Sequence, residues 1–162
     1  MDRLAREGDP TAIAFPRALT APKDRERHAY NFSFSGLKTA VARWVEACED
    51  SGRAVPVADV AASFAAAVAD VLVAKTLDAC ERHQVDTLVI GGGFSANSQL
   101  RELAMSRGTE RGIDVRIPPL KYCTDNGAMI AALGSAVVGR GVAPSALTIG
   151  VDSSMSLETI SV

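Results

Sequence analysis

The sequence predicts a helix-rich α/β fold, and three observations carry that prediction. A short β-branched run, Asp86-Thr87-Leu88-Val89-Ile90, leads directly into Gly91-Gly92-Gly93 and then a helical pattern, the order of an α/β unit. A second alternating run, Gly112-Ile113-Asp114-Val115-Arg116-Ile117, is closed by Pro118-Pro119 and supplies another strand. Elsewhere helical periodicity dominates, with 27 alanines against eight aromatic residues, a composition suited to helices packed closely through small side chains.

A chain of 162 residues is enough for one ordinary domain with a real core. Hydrophobic residues at 48% and charged residues at 22% exclude wholesale disorder. The net charge of -2, from 17 basic and 19 acidic residues, gives no global attraction to nucleic acid or anionic lipid. An RNA substrate is therefore neither supported nor excluded by charge. Cys48, Cys80 and Cys123 are odd in number and widely spaced, which fits neither a disulfide framework nor a C-x-x-C site and suits a reducing compartment. The first residues lack the apolar core of a signal peptide, and no apolar run reaches the ~18 residues a membrane span needs. The expectation is a cytoplasmic protein with no membrane association.

Residues 1–31 read as a loop-rich arm, a short helix followed by surface loop. Asp9-Pro10, Phe15-Pro16, Ala21-Pro22 and the charge cluster Lys23-Asp24-Arg25-Glu26-Arg27 interrupt any longer pattern. The main lobe is expected over 32–145. Ser35 is placed to cap a helix whose apolar residues Leu37, Ala40, Val41, Trp44, Val45 and Cys48 share one face, with Lys38, Arg43, Glu46 and Glu49 opposite. Pro56 suits the first turn of a second helix running to about His83. Val57, Val60, Ala61, Phe64, Val68, Val71 and Leu72 form its buried stripe, and Val73, Leu77 and Cys80 make it apolar nearly all round, so it should lie deep. After the first strand and its glycines, a helix is expected from about Ala96 through Leu100, Leu103 and Met105. The segment 126–138 reads as a helix too apolar for a surface, and 146–162 as an irregular tail.

Three constellations are candidates for chemistry. In Gly91-Gly92-Gly93-Phe94-Ser95-Ala96-Asn97, glycines between strand and helix let a backbone approach a ligand, and a helix N-terminus favours a phosphate-bearing one. The lysine of a P-loop and the spacing of a dinucleotide fingerprint are both missing, so a tight turn with Asn97 as N-cap stands beside the binding reading. In Tyr122-Cys123-Thr124-Asp125-Asn126-Gly127-Ala128, Asp125 is either a capping carboxylate or one ligand of a metal or phosphate-bridging cation. His28 and His83 read as surface residues rather than ligands. In Asn31-Phe32-Ser33-Phe34-Ser35-Gly36-Leu37-Lys38, alternating aromatics and serines suit a strand turning at Gly36; it is a packing motif from which no reaction follows.

Taken together, Phe32-Ser33-Phe34-Ser35-Gly36-Leu37-Lys38-Thr39-Ala40, the Gly92-Gly93 to Asn97 loop and Cys123-Thr124-Asp125-Asn126-Gly127-Ala128-Met129-Ile130-Ala131 resemble the tRNA adenosine threonylcarbamoyltransferase family. The motifs stand in the family's order, with Asn31 where aspartate is usual and Phe94 where valine is usual. The resemblance implies one ribonuclease-H-like lobe of the actin, hexokinase and heat-shock ATPase fold. It also implies transfer of threonylcarbamoyl from threonylcarbamoyl-AMP to N6 of the adenosine beside the tRNA anticodon. By the same resemblance Asn97, Gly92 and Gly93 bind the adenylate. Asp125 is one ligand of a single divalent metal, iron or zinc, acting as a Lewis acid.

The family's H-x-x-x-H metal motif and its first-half phosphate loops have no counterpart here. The expectation is thus a C-terminal half, inactive without the N-terminal half, working with a non-catalytic paralogue and ATPase subunits. A bare lobe is also expected to expose an apolar face and to self-associate. The alternative is a non-catalytic scaffold lobe of the same modification complex. An ATP-binding lobe of a sugar kinase or chaperone relative is disfavoured by the Cys123 to Ala131 motif, and a zinc protease by the lack of H-E-x-x-H.

Overall fold

A computed structural model describes residues 2–156, which fall into two compact units dividing between Cys123 and Thr124. The chain runs α1 (Asp2–Ala5), α2 (Pro22–Arg27), α3 (Ser35–Asp50), α4 (Val57–Arg82), β1 (Thr87–Val89), a 3₁₀ turn (Gly93–Ala96), α5 (Ser98–Glu110), β2 (Asp114–Arg116), a second 3₁₀ turn (Leu120–Tyr122) and α6 (Gly127–Gly139). Helices with a small parallel sheet make this a helix-rich α/β fold. Thr87, Leu88 and Val89 stand opposite Asp114, Val115 and Arg116, with α5 as the crossover that a parallel pair requires.

The first unit is built around α4. Its Ala69, Val73, Leu77 and Cys80 pack against Leu100 and Ala104 of α5 and Ile113 and Val115 at β2. Higher up, Ala67 and Val68 meet Phe15 and Leu37, with Val41 and Trp44 at the edge. At its start, Ala61, Ala62 and Ala65 meet Ala5 of α1. The alanines explain the close approach: side chains of one carbon let helices settle together with little rotamer entropy lost. Gly108 serves the same end, because a Cβ there would overlap Val115 and push α5 off the strand.

By length and composition α4 also passes as a helix able to cross a membrane, which counting uninterrupted apolar residues does not detect. Half of its most apolar window is buried inside the chain, where α1, α3 and α5 cover it. Its buried cation, Lys75, donates to the carbonyls of His28 and Asn31, each at 2.7 Å, tying the N-terminal arm to the helix. Burial lowers the Lys75 ammonium from its ordinary pKa, partly opposed by the Asp24 charge.

Several expectations need correction. Ser35 does not cap α3: it is the first helical residue, Phe34 precedes it, and the Ser35 carbonyl accepts from Thr39 Oγ1 at 3.1 Å. Residues 31–34 form no strand, since the Asn31 carbonyl receives Lys75 and Phe34 turns toward the Leu37 cluster. The charge cluster after Ala21 does form a helix, α2, started by Pro22 at its first position. Val57 is exposed at the first turn of α4 rather than buried.

The largest difference concerns α6. Expected to be buried, it has no buried residue, and Met129, Ile130, Leu133 and Val138 are exposed. Among the described residues of the second unit there is no other helix or strand for it to pack on. The tail is irregular through residue 156, and the rest of 146–162 lies outside the described residues.

Candidate functional site

The connection from β1 to α5 brings Gly92, Gly93 and Asn97 together. Gly92 has φ +87°, a left-handed conformation that side chains resist, and its position is open, with no atom near where a Cβ would stand. The backbone from Gly91 to Phe94 is exposed, so a ligand can reach it. Ser95 folds the loop back by donating its hydroxyl to the Gly92 carbonyl at 2.6 Å.

Arg101, one turn into α5, fastens this loop from below. Its Nε donates to the Ser95 carbonyl at 2.6 Å, while Nη2 reaches the Pro118 carbonyl at 2.8 Å and Cys123 Sγ at 3.1 Å. One guanidinium thereby joins the glycine loop to the chain beyond β2. Its planar fork of donors suits three acceptors in fixed directions.

Asn97 is buried and caps α5, its Oδ1 accepting from the Leu100 N–H at 2.9 Å. Its Nδ2 donates to Asp2 Oδ1 at 3.0 Å, and the same oxygen accepts the Ser98 N–H at 3.0 Å and the Ser98 hydroxyl at 3.1 Å. Arg6 pairs with the other Asp2 oxygen at 3.0 Å. The Ser98 backbone donor is the largest cause holding the Asp2 carboxyl below its ordinary pKa; partial burial opposes it, and the Ser98 hydroxyl and Arg6 add to it.

This alters the expected chemistry of the helix terminus. The sequence marks the N-terminus of α5 as a place for a phosphate-bearing ligand. Two backbone donors of that terminus are already satisfied, one by Asp2 and one by Asn97. The accessible donors are those of the glycine loop, and the corner beside Asn97 carries a fixed negative charge. Asp2 was missed because its partner lies 95 positions away and nothing local marks it.

Asp125 stands at the start of the second unit, exposed. It does not cap α6: Asn126 does, with Oδ1 accepting the Met129 N–H at 3.0 Å. Among the described residues, no group of three His, Cys, Asp or Glu side chains lies close enough to hold a metal ion. One exposed carboxylate does not fit a metal by itself, so no step is routed through one. His83 accepts or donates at Nε2 to the Tyr30 hydroxyl at 2.8 Å, and His28 Nδ1 meets Asn31 Nδ2 at 3.2 Å.

Fold and site together define an α/β protein with an open glycine loop and a capped helix at the end of a parallel strand pair. Residues 1–132 match the tRNA N6-adenosine threonylcarbamoyltransferase family, and the chain belongs to that family. Proteins carrying that name in Bifidobacterium longum and Bifidobacterium adolescentis are 52% and 50% identical to it over 161 residues, 99% of this chain and 46% of theirs. One from Corynebacterium diphtheriae is 49% identical over 159 residues, 98% of this chain and 45% of the relative. The chain thus spans about half the length of the curated relatives it matches.

Proposed function

We propose that this chain forms the C-terminal lobe of a tRNA-modifying transferase that moves threonylcarbamoyl from threonylcarbamoyl-AMP to N6 of the adenosine next to the anticodon. The observation that carries this reading is the 52% identity over 99% of the chain to a relative bearing that name. The lobe is of the ribonuclease-H-like kind found in the actin, hexokinase and heat-shock ATPase fold. In the cytoplasm it works with the N-terminal half, a non-catalytic paralogue and ATPase subunits.

Within this proposal Gly92 and Gly93 line the adenylate site, where the open left-handed turn admits the ligand against backbone. Asn97 sits beside them, oriented by Asp2 and by its own cap bond. Asp125 contributes one ligand to a divalent iron or zinc whose other ligands lie outside this chain. The lobe alone therefore lacks a complete site and is inactive.

The test combines the purified chain with the portion of the Bifidobacterium longum relative outside the match, then adds threonylcarbamoyl-AMP and tRNA. Threonylcarbamoyladenosine is expected from the pair and not from the chain alone. Product from the chain alone overturns the inactivity, and no product from a stable pair overturns the transferase reading. A pair whose product formation survives Asn97→Ala and Asp125→Ala together supports the scaffold alternative.

A further inference from the structure

The last two turns of α4 carry a charged face that the glycine loop does not use. Lys75, Asp78 and Arg82 follow one another at three and four residues, which sets them on one side of the helix. That side forms the wall of a cavity of about 190 Å³, closed from the N-terminal arm by Leu19, Ala29 and Tyr30. The Tyr30 hydroxyl is pinned there, 2.8 Å from His83 Nε2. No residue of the glycine loop lines this cavity.

Both signs of charge on its wall have bonding capacity to spare. Lys75 is only 7% exposed, and it spends two of its three ammonium protons on the His28 and Asn31 carbonyls. The third has no acceptor among the described residues, and a buried charge is costly unless its hydrogen bonds are made. Arg82 makes no hydrogen bond or ion pair among the described residues. Asp78 and Glu81 each give one oxygen to Arg111 Nη1, at 2.8 and 3.4 Å. Asp78 Oδ2 and Glu81 Oε1 accept nothing among the described residues.

This pattern selects against ligands of one charge. A plain anion drawn to Lys75 and Arg82 also meets two carboxylates, and a plain cation drawn to those carboxylates meets Lys75 and Arg82. A molecule with both charges answers both pairs, through bonds stronger than neutral ones. Leu19, Ala29 and Ala74 leave an apolar corner beside them, and the small volume limits what can fill it.

We propose that this cavity binds a small zwitterion, an α-amino acid with a short side chain, its carboxylate held by Lys75 and Arg82 and its ammonium by Asp78 and Glu81. Its occupancy does not depend on the transferase reading, because it shares no residue with Gly92, Gly93 or Asn97.

The experiment titrates L-alanine and L-serine into the chain, and into its pair with the unmatched portion of the Bifidobacterium longum relative, and follows amide shifts. Saturable shifts are expected at Ala29, Lys75 and Asp78, with Gly92 and Gly93 unmoved. Acetate, which lacks the ammonium, and methylamine, which lacks the carboxylate, should each bind about tenfold more weakly or worse. Arg82→Gln should weaken alanine and serine roughly fivefold or more, and Asp78→Asn should act likewise. Arg82 has no partner to lose among the described residues, so its variant keeps the fold, and unchanged amide shifts along α3 and α5 verify this. The proposal is overturned by the lack of a saturable shift in both samples, or by shifts confined to Gly92 and Gly93. Acetate or methylamine binding as tightly as alanine overturns it too, as does an affinity that Arg82→Gln leaves unchanged.

Discussion

Helices α4 and α6 look alike in sequence and end differently. Both are made mostly of apolar and small residues, although α4 also carries Asp59, Asp70, Lys75, Asp78, Glu81 and Arg82, and both are expected in a core. α4 is covered by three helices of its own unit, with Leu77 fully buried. α6 has no buried residue, and Leu133 is 59% exposed. An apolar composition says that a helix gains by being covered. It does not say what covers it, and the second unit offers α6 no element for the purpose among the described residues.

The sharpest way to break this comparison is to shorten the same side chain in both helices. Leu77→Ala leaves a void against Val73, Leu100 and Val115 and should cost about 2–5 kcal/mol in urea unfolding. Leu133→Ala should change stability by no more than about 0.5 kcal/mol in the chain as it stands. Equal losses at the two positions would mean that α6 is packed in solution and would erase the contrast.

A second difference lies in the polar residues each helix contains. α4 holds one buried cation whose bonds order the arm, while α6 has none. Replacing Lys75 by Met leaves the His28 and Asn31 carbonyls without their donor, an expected loss of about 1–3 kcal/mol. Relief of the buried charge works the other way, and a net gain in the urea midpoint would show that the desolvation cost outweighs the two bonds.

Helix caps sharpen the same contrast at smaller scale. Asn97 and Asn126 make the same bond, side-chain oxygen to the N–H three residues on. Alanine at Asn126 should cost about 0.5–1 kcal/mol, as for an exposed cap. At Asn97 the loss should approach about 2 kcal/mol, since the cap is buried and its amide also holds Asp2. Circular dichroism under urea measures both, and a larger loss at Asn126 would contradict the burial argument.

What was legible in the sequence follows from range. The spacing of Leu37, Val41, Trp44 and Cys48 marks one helical face because the signal repeats within a turn or two, and these residues do face inward. The strand, the glycines and Asn97 as an N-cap were readable for the same reason. Gly92, Gly93 and Asn97 stand together simply because they are neighbours in the chain. Asp2 on Asn97, Lys75 on the arm and Arg101 beneath the glycine loop have no period. Each joins segments that only the tertiary fold brings together, and a lone aspartate or arginine carries no mark of its partner. Position 125 misled for a different reason: two capping residues, Asp125 and Asn126, stand side by side, and a shift of one decides which is the cap.

The smallest expected effect tests whether the corner at Asn97 is electrostatic. The Asp2 carboxyl titrates below its ordinary value in the folded chain, so its ionised form favours folding. That contribution is complete above the ordinary value of about 3.9 and disappears as pH falls through the depressed folded value. Asp2→Asn removes the charge yet keeps an oxygen able to accept from Ser98. The variant should therefore be slightly less stable than the parent from pH 7 down to about 5, and the gap should close below about pH 4. Urea midpoints of both proteins across that range provide the check. A gap that persists unchanged in acid would show that shape and hydrogen bonding, and not the carboxylate charge, hold α1 against the start of α5.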